Sequence, residues 1–423
     1  MTPATALIET PAASANALHW GVVTVFAIVY LGMFLGGLPR LKLDRAGIAL
    51  LGAIAMIGLG AMDVATAARA IDLPTILLLF SFMVISAQMR LGGFYGAIAH
   101  GIAQQAWSRR ALLAALIFVA GALSAVFSND VICLAMTPVV ARICLERGLD
   151  PIPFLVGLAC AANVGSAATL IGNPQNMLIG SVMGLNFGRY LAAAAPPALL
   201  GLGAIWLWLA FATGRGEQPR LPPTRAAAST AEPPLDRGQS AKGLVVVTVV
   251  LAAFLLTSWP HEVVALVAAG VLLLSRRLHS AEVMGYVDWS LLVLFMGLFV
   301  VNRAFEQTGL AAEAVAWLVA RGIAPGDLLP LTVLGVGLSN MVSNVPAVML
   351  LLPHLHGETQ GIVLALTTTL AGNLLLVGSI ANLIVADLAR REGIDIGWRA
   401  HARIGLPVTA LTLAITLSWL ALR

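Results

Sequence analysis

The sequence predicts an all-α polytopic membrane protein made of two inverted repeats of five transmembrane helices, each with a re-entrant hairpin and a broken helix. The first observation is composition: 59% of the 423 residues are hydrophobic and 10% are charged, whereas soluble domains carry roughly 25% charged residues. The second is that the apolar residues form many runs of about 20, long enough to cross a bilayer. The third is a duplicated polar motif.

The duplicated motif occurs at Leu123–Pro138 (LSAVFSNDVICLAMTP) and at Leu338–Pro353 (LSNMVSNVPAVMLLLP). The copies align without a gap, and both interrupt an apolar run with the dipeptide Ser-Asn. A short polar break between two apolar limbs is typical of a helical hairpin that enters the membrane and returns. Non-helical backbone at that depth is tolerated only where it is buried in protein or lines a cavity, so we expect the tips to be functional.

The rest of the chain divides into two similar halves around a linker. Residues 1–19 are predicted as an N-terminal tail, 20–212 as the first repeat, 213–241 as a surface linker rich in proline and arginine, and 242–423 as the second repeat. The predicted spans are 20–38, 46–62, 73–90, 152–184 (interrupted), 190–212, 243–258, 261–275, 289–309, 361–389 (interrupted) and 404–421. The hairpins are placed at 111–145 and 327–356, and an interfacial stretch at 92–108.

An odd number of crossings in each half requires the second half to be inverted, which is the architecture of many secondary transporters. With both termini outside and the linker in the cytoplasm, most of the 24 Lys and Arg residues fall in predicted cytoplasmic loops, as the positive-inside rule demands. The predicted location is therefore the cytoplasmic (inner) membrane.

Composition and motifs also argue against several functions. A net charge of +4 with two lysines gives little support for nucleic-acid binding. The chain has no Gly-Lys dipeptide, so it lacks a P-loop, although an associated ATPase subunit is left open. It also lacks a His-Glu-x-x-His motif or a nucleophile–base pair, so an intramembrane enzyme is not predicted. Cys133, Cys144 and Cys160 lie in apolar segments and are interpreted as small hydrophobic residues; no cofactor beyond a coupling ion is predicted.

Polar residues at the two tips and at two interruptions point to a binding site. Asn129/Asp130 and Ser343/Asn344 are expected to begin the returning limbs of the hairpins, and Asn173-Pro174 and Ser379 to begin the second halves of the broken helices. Four helix N-termini would then favour an anion or a polarised oxygen. The predicted substrate and ion ligands are Ser128, Asn129, Asp130, Thr169, Gly172, Asn173, Asn176, Ser343, Asn344, Gly378, Ser379 and Asn382.

A hard cation such as Na⁺ prefers backbone carbonyl and Asn side-chain oxygens, and we expect it at Asn129, Gly172, Asn173, Asn344 and Gly378.

Asp130 breaks the symmetry of the motif, because its counterpart is Val345. A carboxylate in the middle of a membrane costs about 2.5–3.5 kcal/mol on insertion scales, so such a residue is a functional candidate. Removal from water favours its protonated form, which makes Asp130 the candidate for proton coupling. A plain capping role for Asp130 stays open.

Other charged residues have simpler interpretations. Arg303 and Glu306 form either an ion pair near the substrate path or a pair that reaches the outer interface. His354 and His356 cannot share a helical face, so no metal site is predicted there. Asp387 is expected to pair with a neighbouring arginine at a helix end.

The motifs FSNDVICLAMTPVV, TLIGNPQNMLIG, VSNVPAVMLLLP and LAGNLLLVGSIANLIV resemble those of the Ion Transporter superfamily over residues 20–421. That resemblance implies cation sites and a substrate site between tips and breaks, elevator-type movement and a homodimer. Divalent anion symporters carry Ser-Asn-Thr at both tips, unlike this chain. The first tip is closer to arsenite permeases, with Asn129-Asp130 and Thr137-Pro138, and the second tip matches them only in part.

The sequence as a whole predicts an ion-coupled (H⁺ or Na⁺) secondary active transporter in the lipid bilayer that moves a small inorganic or organic anion, or a neutral oxyacid. The alternatives are an arsenite or antimonite efflux permease, a Na⁺/H⁺ antiporter and an anion channel. A channel is disfavoured because selectivity filters usually arise from oligomeric rings, whereas this repeat is internal.

Overall fold

The structure is a computed structural model that describes residues 11–38, 41–211 and 234–423, apart from the side chains of residues 11–15 and 103. Over these ranges all regular structure is helical. The first half contains α1 (Pro11–Leu35), α2 (Arg45–Gly58), α3 (Val64–Ala70), α4 (Leu73–Leu91), α5 (Phe94–Ala103), α6 (Arg109–Val126), α7 (Asn129–Glu146), α8 (Pro151–Ser166), α9 (Pro174–Val182) and α10 (Phe187–Phe211).

The second half contains α11 (Arg237–Leu256), α12 (His261–Leu273), α13 (Ser280–Met284), α14 (Trp289–Glu306), α15 (Leu310–Val319), α16 (Leu328–Val342), α17 (Asn344–Leu351), α18 (Glu358–Ala371), α19 (Ile380–Arg391) and α20 (Trp398–Ala421). Short 3₁₀ turns follow α17 and precede α19. In each half a helical hairpin is followed by a broken helix. The hairpins are α6–α7 and α16–α17, and the broken helices are α8–α9 and α18–α19. The inversion of one repeat relative to the other stays a prediction.

Seven helices of the described residues are long and apolar enough to cross a membrane. They are Asn16–Leu35, Leu73–Leu91, Arg109–Val126, Phe187–Phe211, Arg237–Leu256, Trp289–Glu306 and Trp398–Ala421. Two predicted spans, 46–62 and 261–275, contain the shorter helices α2 and α12. At about 1.5 Å per residue these helices cover roughly 20 Å, less than the roughly 30 Å hydrocarbon core.

Two helix starts differ from the sequence prediction. Helix α1 begins at Pro11, inside the predicted tail 1–19, because its Ala-rich first turns have high helix propensity. Helix α11 begins at Arg237, inside the predicted linker, because the Asp236 carboxylate accepts hydrogen bonds from the backbone N–H groups of Gly238 and Gln239 and caps it. Residues 213–233 of the predicted linker, with residue 212 before them, lie outside the described part of the chain.

The chain forms two compact units, and each combines segments from both halves of the sequence. The smaller unit comprises Met1–Leu73 and Trp289–Pro325. Inside it, the Tyr30 hydroxyl donates to Asn302 Oδ1 over 2.8 Å. Arg303 and Glu306 form a 3.2 Å ion pair with partly exposed side chains, so the predicted pair exists and is accessible.

The larger unit comprises Pro74–Asp288 and Gly326–Arg423. Its centre is α8, in which every residue except Ile152 is buried. Helices α6, α7, α10, α18, α19 and α20 all pack against α8. The three cysteines are buried in this unit and form no disulfide, in agreement with their interpretation as apolar residues. Both hairpins and both broken helices belong to the larger unit.

Candidate functional site

Four irregular segments of the larger unit contain the predicted ligands, except Asn176 and Asn382, which lie in the first turns of α9 and α19. The first tip (Phe127–Asp130) joins α6 to α7, and the second tip (Ser343–Val345) joins α16 to α17. The first break (residues 167–173) separates α8 from α9, and the second break (residues 372–379) separates α18 from α19.

The two repeats are packed crosswise around these segments. Helix α7, which follows the first tip, packs against α8 of its own repeat and α19 of the other. Helix α17, which follows the second tip, packs against α18 of its own repeat and α9 of the other. Helix N-termini, with their positive dipole ends, thereby adjoin both tips and both breaks.

The first tip is anchored to the first break by backbone contacts. The Asn129 N–H donates to the Gly172 carbonyl over 3.2 Å, and the Thr169 hydroxyl donates to the Ala125 carbonyl. A Cβ at Gly172 would lie 2.3 Å from the Ser166 carbonyl oxygen and 2.6 Å from its Cα. The close approach of two backbone segments therefore excludes any side chain at this position of the break.

The second tip has a different backbone. Ser343 lies at φ 77° and ψ 161°, a conformation that costs a non-glycine residue about 1–3 kcal/mol. Ser128, its counterpart, lies at φ −56° and ψ 133°. Backbone strain of this kind concentrates at ligand clamps and switch regions, so the strained Ser343 supports a functional role for the second tip.

Two of the four predicted N-caps are formed by the predicted side chains. Asn173 Oδ1 accepts from the Asn176 N–H over 2.9 Å, and Ser379 Oγ accepts from the Ala381 N–H over 3.2 Å. The returning limbs begin at Asn129 and Asn344, within the two predicted pairs of residues, but the serines before them make no side-chain capping bond. The breaks are therefore capped internally, whereas the tips are not.

Hydrogen bonding separates the predicted ligands into two groups. Polar side-chain atoms in the first group bond to other protein groups and hold the breaks in shape. This group contains Thr169, Asn173, Asn176, Ser379 and Asn382. Because these side chains are already partnered, we assign them to the frame of the site.

The second group offers unpartnered oxygens, and it lies on the hairpins. Asn129 Oδ1 and Asn344 Oδ1 are buried without a hydrogen-bond partner among the described residues. The same holds for the hydroxyls of Ser124 and Ser339 and for Asn340 Oδ1. A buried polar atom without a partner costs about 1–3 kcal/mol, so these oxygens are the natural acceptors for a cation or a hydroxylated ligand.

Asp130 lies at the start of α7 and is half-buried. Its carboxylate makes no hydrogen bond or ion pair within the described ranges. Asp288 is close enough to act on Asp130 electrostatically, which adds a second negative charge to the surroundings. A half-buried carboxylate that experiences the charge of a second carboxylate is a chemically suitable proton carrier.

The helices of the site carry no cationic side chain near the tips. Residues 123–141, 151–182, 328–353 and 358–389 contain no Lys or Arg. Carboxylate recognition commonly uses arginine, whose guanidinium binds both oxygens. The tips and breaks instead present amides, hydroxyls, backbone dipoles and one carboxylate.

Several residues of this site were absent from the sequence prediction. Asn163 and Thr369 connect the two breaks, and Asn340 presents an unpartnered oxygen toward Gly378. His401 of α20 is 1% exposed, and its Nε2 lies 3.1 Å from the Asn373 carbonyl oxygen. Asn163 and His401 are polar residues inside apolar helices, which is the signal that could have identified them.

Comparisons with known proteins agree with this architecture. The profile of the citrate transporter family matches residues 28–366. An uncharacterized transporter of Mycobacterium tuberculosis (strain CDC 1551 / Oshkosh) is 31% identical, over 94% of this chain and 99% of that protein. The silicon efflux transporter of Oryza sativa subsp. japonica is 30% identical, over 97% and 98%. The crystal structure of the YdaH transporter of Alcanivorax borkumensis has a similar fold, with a TM-score of 0.59 at 16% identity, over 97% of this chain and 98% of that one.

Proposed function

Since this chain belongs to the citrate transporter family and is a membrane secondary transporter, we propose that its substrate is a small oxyacid, neutral or singly charged. The transport is coupled to H⁺, with Na⁺ as the alternative coupling ion. Arsenous, antimonous and silicic acids are members of this substrate class, and the relative from rice is named as a silicon efflux transporter.

The observation that carries the proposal is a site rich in hydrogen-bond acceptors, with no lysine or arginine in the segments that form the tips and breaks. Undissociated oxyacids present hydroxyl groups, which donate to oxygens such as Asn129 Oδ1 and Asn344 Oδ1. Citrate carries several negative charges and would meet the Asp130 carboxylate, while the segments that form the tips and breaks contain no arginine or lysine. Helix N-termini at the tips and breaks are sufficient for a partial or single negative charge.

Asp130 is the residue that we assign to proton coupling. It is the one acidic or basic side chain between Leu123 and Ala141, and no partner among the described residues fixes its charge. Binding of a proton would cancel the charge of Asp130 and weaken its repulsion with Asp288. If Na⁺ is the coupling ion instead, Asn129 and the carbonyl oxygens of the first break are the ligands of suitable chemistry.

The elevator-type movement and the homodimer implied by the family resemblance belong to the same proposal. Both tips and both breaks lie in one compact unit, so substrate and coupling ion would travel together if that unit moves as a body.

The substrate class is tested with purified protein in proteoliposomes. Uptake of labelled arsenite, labelled germanic acid (an analogue of silicic acid) and labelled citrate is measured under an imposed pH gradient and, separately, a Na⁺ gradient. We expect saturable uptake of at least one oxyacid that responds to one of the gradients, and no inhibition by citrate. Saturable citrate uptake without oxyacid uptake would contradict the proposal, and flux that never saturates would indicate a channel.

Ligand binding is checked independently by thermal unfolding in detergent. A ligand that binds only the folded state at 100 times its dissociation constant stabilises it by about 2.7 kcal/mol. We expect this stabilisation with arsenite or germanic acid and none with citrate.

A further inference from the structure

Asn163 in α8 and Thr369 in α18 occupy equivalent positions in the two broken helices. The equivalence follows when Gly172 is aligned with Gly378 and Asn176 with Asn382, as the similarity of the two segments requires. Both residues lie near the end of the first half-helix, and each is 1% exposed.

Thr369 makes its hydrogen bonds with the first break and the start of α9, which belong to the other repeat. Its Oγ1 accepts from Asn173 Nδ2 over 3.3 Å and from Gln175 Nε2 over 3.2 Å. The same hydroxyl donates to Asn176 Oδ1 over 3.3 Å. The side chains that shape the start of α9 are thus connected to one threonine of the second repeat.

Asn163 makes the reciprocal contacts with the second break. Its Oδ1 accepts from Ser379 Oγ over 3.1 Å, and its Nδ2 donates to Asn373 Oδ1 over 2.8 Å. Nδ2 also lies 3.4 Å from Asn382 Oδ1. Ser379 and Asn382 align with Asn173 and Asn176, so the two sets of contacts mirror each other.

We propose that Asn163 and Thr369 are a pair of crossed positioning residues that join the two breaks into one binding unit. A break can keep its geometry only while the other repeat supplies its partner side chain. Ligand binding at one half of the site is therefore transmitted to the other half through these two residues. The consequence for transport rests on the proposed function, whereas the crossed contacts do not.

Asn163 and Thr369 differ in the number of segments that their hydrogen bonds connect. Asn163 Oδ1 also accepts from Asn129 Nδ2 over 2.9 Å, so this residue connects the second break directly to the first tip. Thr369 is a shorter side chain, and its hydrogen bonds within the described residues end at Asn173, Gln175 and Asn176. We therefore expect the first tip to respond to both breaks and the second tip to depend less on the crossed pair.

Neighbouring threonines provide matched controls for Thr369. Thr367 and Thr368 are as deeply buried in the same helix, but their hydroxyls donate to backbone carbonyls of their own helix, at Val363 and Leu364. Replacing Thr368 with valine removes a hydroxyl of the same kind from the same helix without touching the first break.

The first experiment measures hydrogen–deuterium exchange of the purified protein in detergent, without substrate. In Thr369→Val we expect the amides of residues 167–176 to exchange at least tenfold faster, because the first break opens locally more often. Thr368→Val should exchange there like the wild type, and Thr369→Ser, which keeps the hydroxyl, should restore protection. Equal exchange of this segment in Thr369→Val and Thr368→Val would overturn the proposal. The reciprocal variant Asn163→Ala should accelerate exchange over residues 372–382.

The second experiment separates positioning from simple packing by transport kinetics with labelled arsenite or germanic acid, whichever the wild type transports. In Thr369→Val we expect KM to rise about tenfold with kcat changed less than twofold, and Thr369→Ser to return KM to the wild-type value. An unchanged KM in Thr369→Val would overturn the positioning role. If the wild type transports neither probe, the proposed function fails, while the exchange experiment still decides whether the crossed pair holds the breaks.

Discussion

The two hairpin tips show what a duplicated motif retains and what it changes. Both tips keep a buried serine hydroxyl one turn earlier and a buried asparagine oxygen, at Ser124 and Asn129 in the first and at Ser339 and Asn344 in the second. These unpartnered oxygens are common to both, so we associate them with binding.

The differences concern charge and backbone. In the first tip, Ser128 has an unstrained backbone, Asn129 donates a hydrogen bond to Asn163, and Asp130 follows. The second tip has Ser343 at φ 77°, followed by Val345. A titratable group suits coupling, and a strained backbone suits a segment that rearranges. We therefore associate the proposed ion coupling with the first tip and the proposed conformational change with the second.

The largest difference in stability is expected between two variants that each add one methyl group to a break, Gly172→Ala and Gly378→Ala. In Gly172→Ala the Cβ would meet the backbone of Ser166 at 2.3 Å, which cannot yield without moving the break, so stability should fall by about 3 kcal/mol. In Gly378→Ala it would meet Asn340 Oδ1 at 2.8 Å and the Gly372 carbonyl oxygen at 3.1 Å, a less severe approach to backbone, and the loss should be about 1 kcal/mol. Thermal unfolding in detergent measures both; equal losses would show that the two breaks are packed alike.

Glycine substitutions at the tips test the difference in backbone strain. Ser343→Gly should stabilise the protein by about 1 kcal/mol, because glycine adopts a positive φ without strain. Ser128→Gly should destabilise it by about 0.4–1 kcal/mol, because the native φ is ordinary and the unfolded chain gains freedom. Unfolding in detergent gives the sign of each change, and shifts of the same sign would remove the distinction between the tips.

Asp236, a carboxylate that belongs to neither tip, provides the baseline for pH effects and the smallest expected change. Hydrogen bonds from the Gln239 backbone N–H and from Arg277 hold the pKa of Asp236 below its usual range. A lowered folded-state pKa contributes stability above the unfolded value of about 3.9, and that contribution is lost as pH falls through the folded value.

Asp236→Asn should therefore be slightly less stable than the wild type at pH 7, with a gap that closes below about pH 4. Thermal unfolding of both proteins across this pH range measures the difference in their stability. The pH profile of transport should match the wild type, and a shifted profile would mean that coupling is not confined to the first tip.

Local signals in the sequence predicted the parts of the site that depend on neighbours in the chain. Asn173-Pro174 and Ser379 were recognisable as N-caps, and they cap α9 and α19. The tips were recognisable because polar residues interrupt apolar runs. These features follow from hydrogen bonding within a few residues.

Features that depend on packing between the repeats were not predictable in this way. Asn163 and Thr369 are different residue types at equivalent positions, so comparison of the repeats does not reveal them as a pair. Ser128 and Ser343 are the same residue before the same asparagine, yet only Ser343 has a positive φ. The Ser-Asn dipeptide alone therefore does not determine the backbone conformation of its serine.

The most direct test of the account is gradient-driven oxyacid uptake by Asp130→Asn in proteoliposomes, beside the wild type and Asp236→Asn. With the labelled oxyacid that the wild type transports, we predict at least a tenfold loss of uptake driven by a pH gradient in Asp130→Asn. Thermal unfolding should still show binding of that oxyacid, because the acceptor oxygens of Asn129 and Asn344 are unchanged. Full proton-driven uptake with an unchanged pH dependence would contradict the assignment of coupling to the first tip.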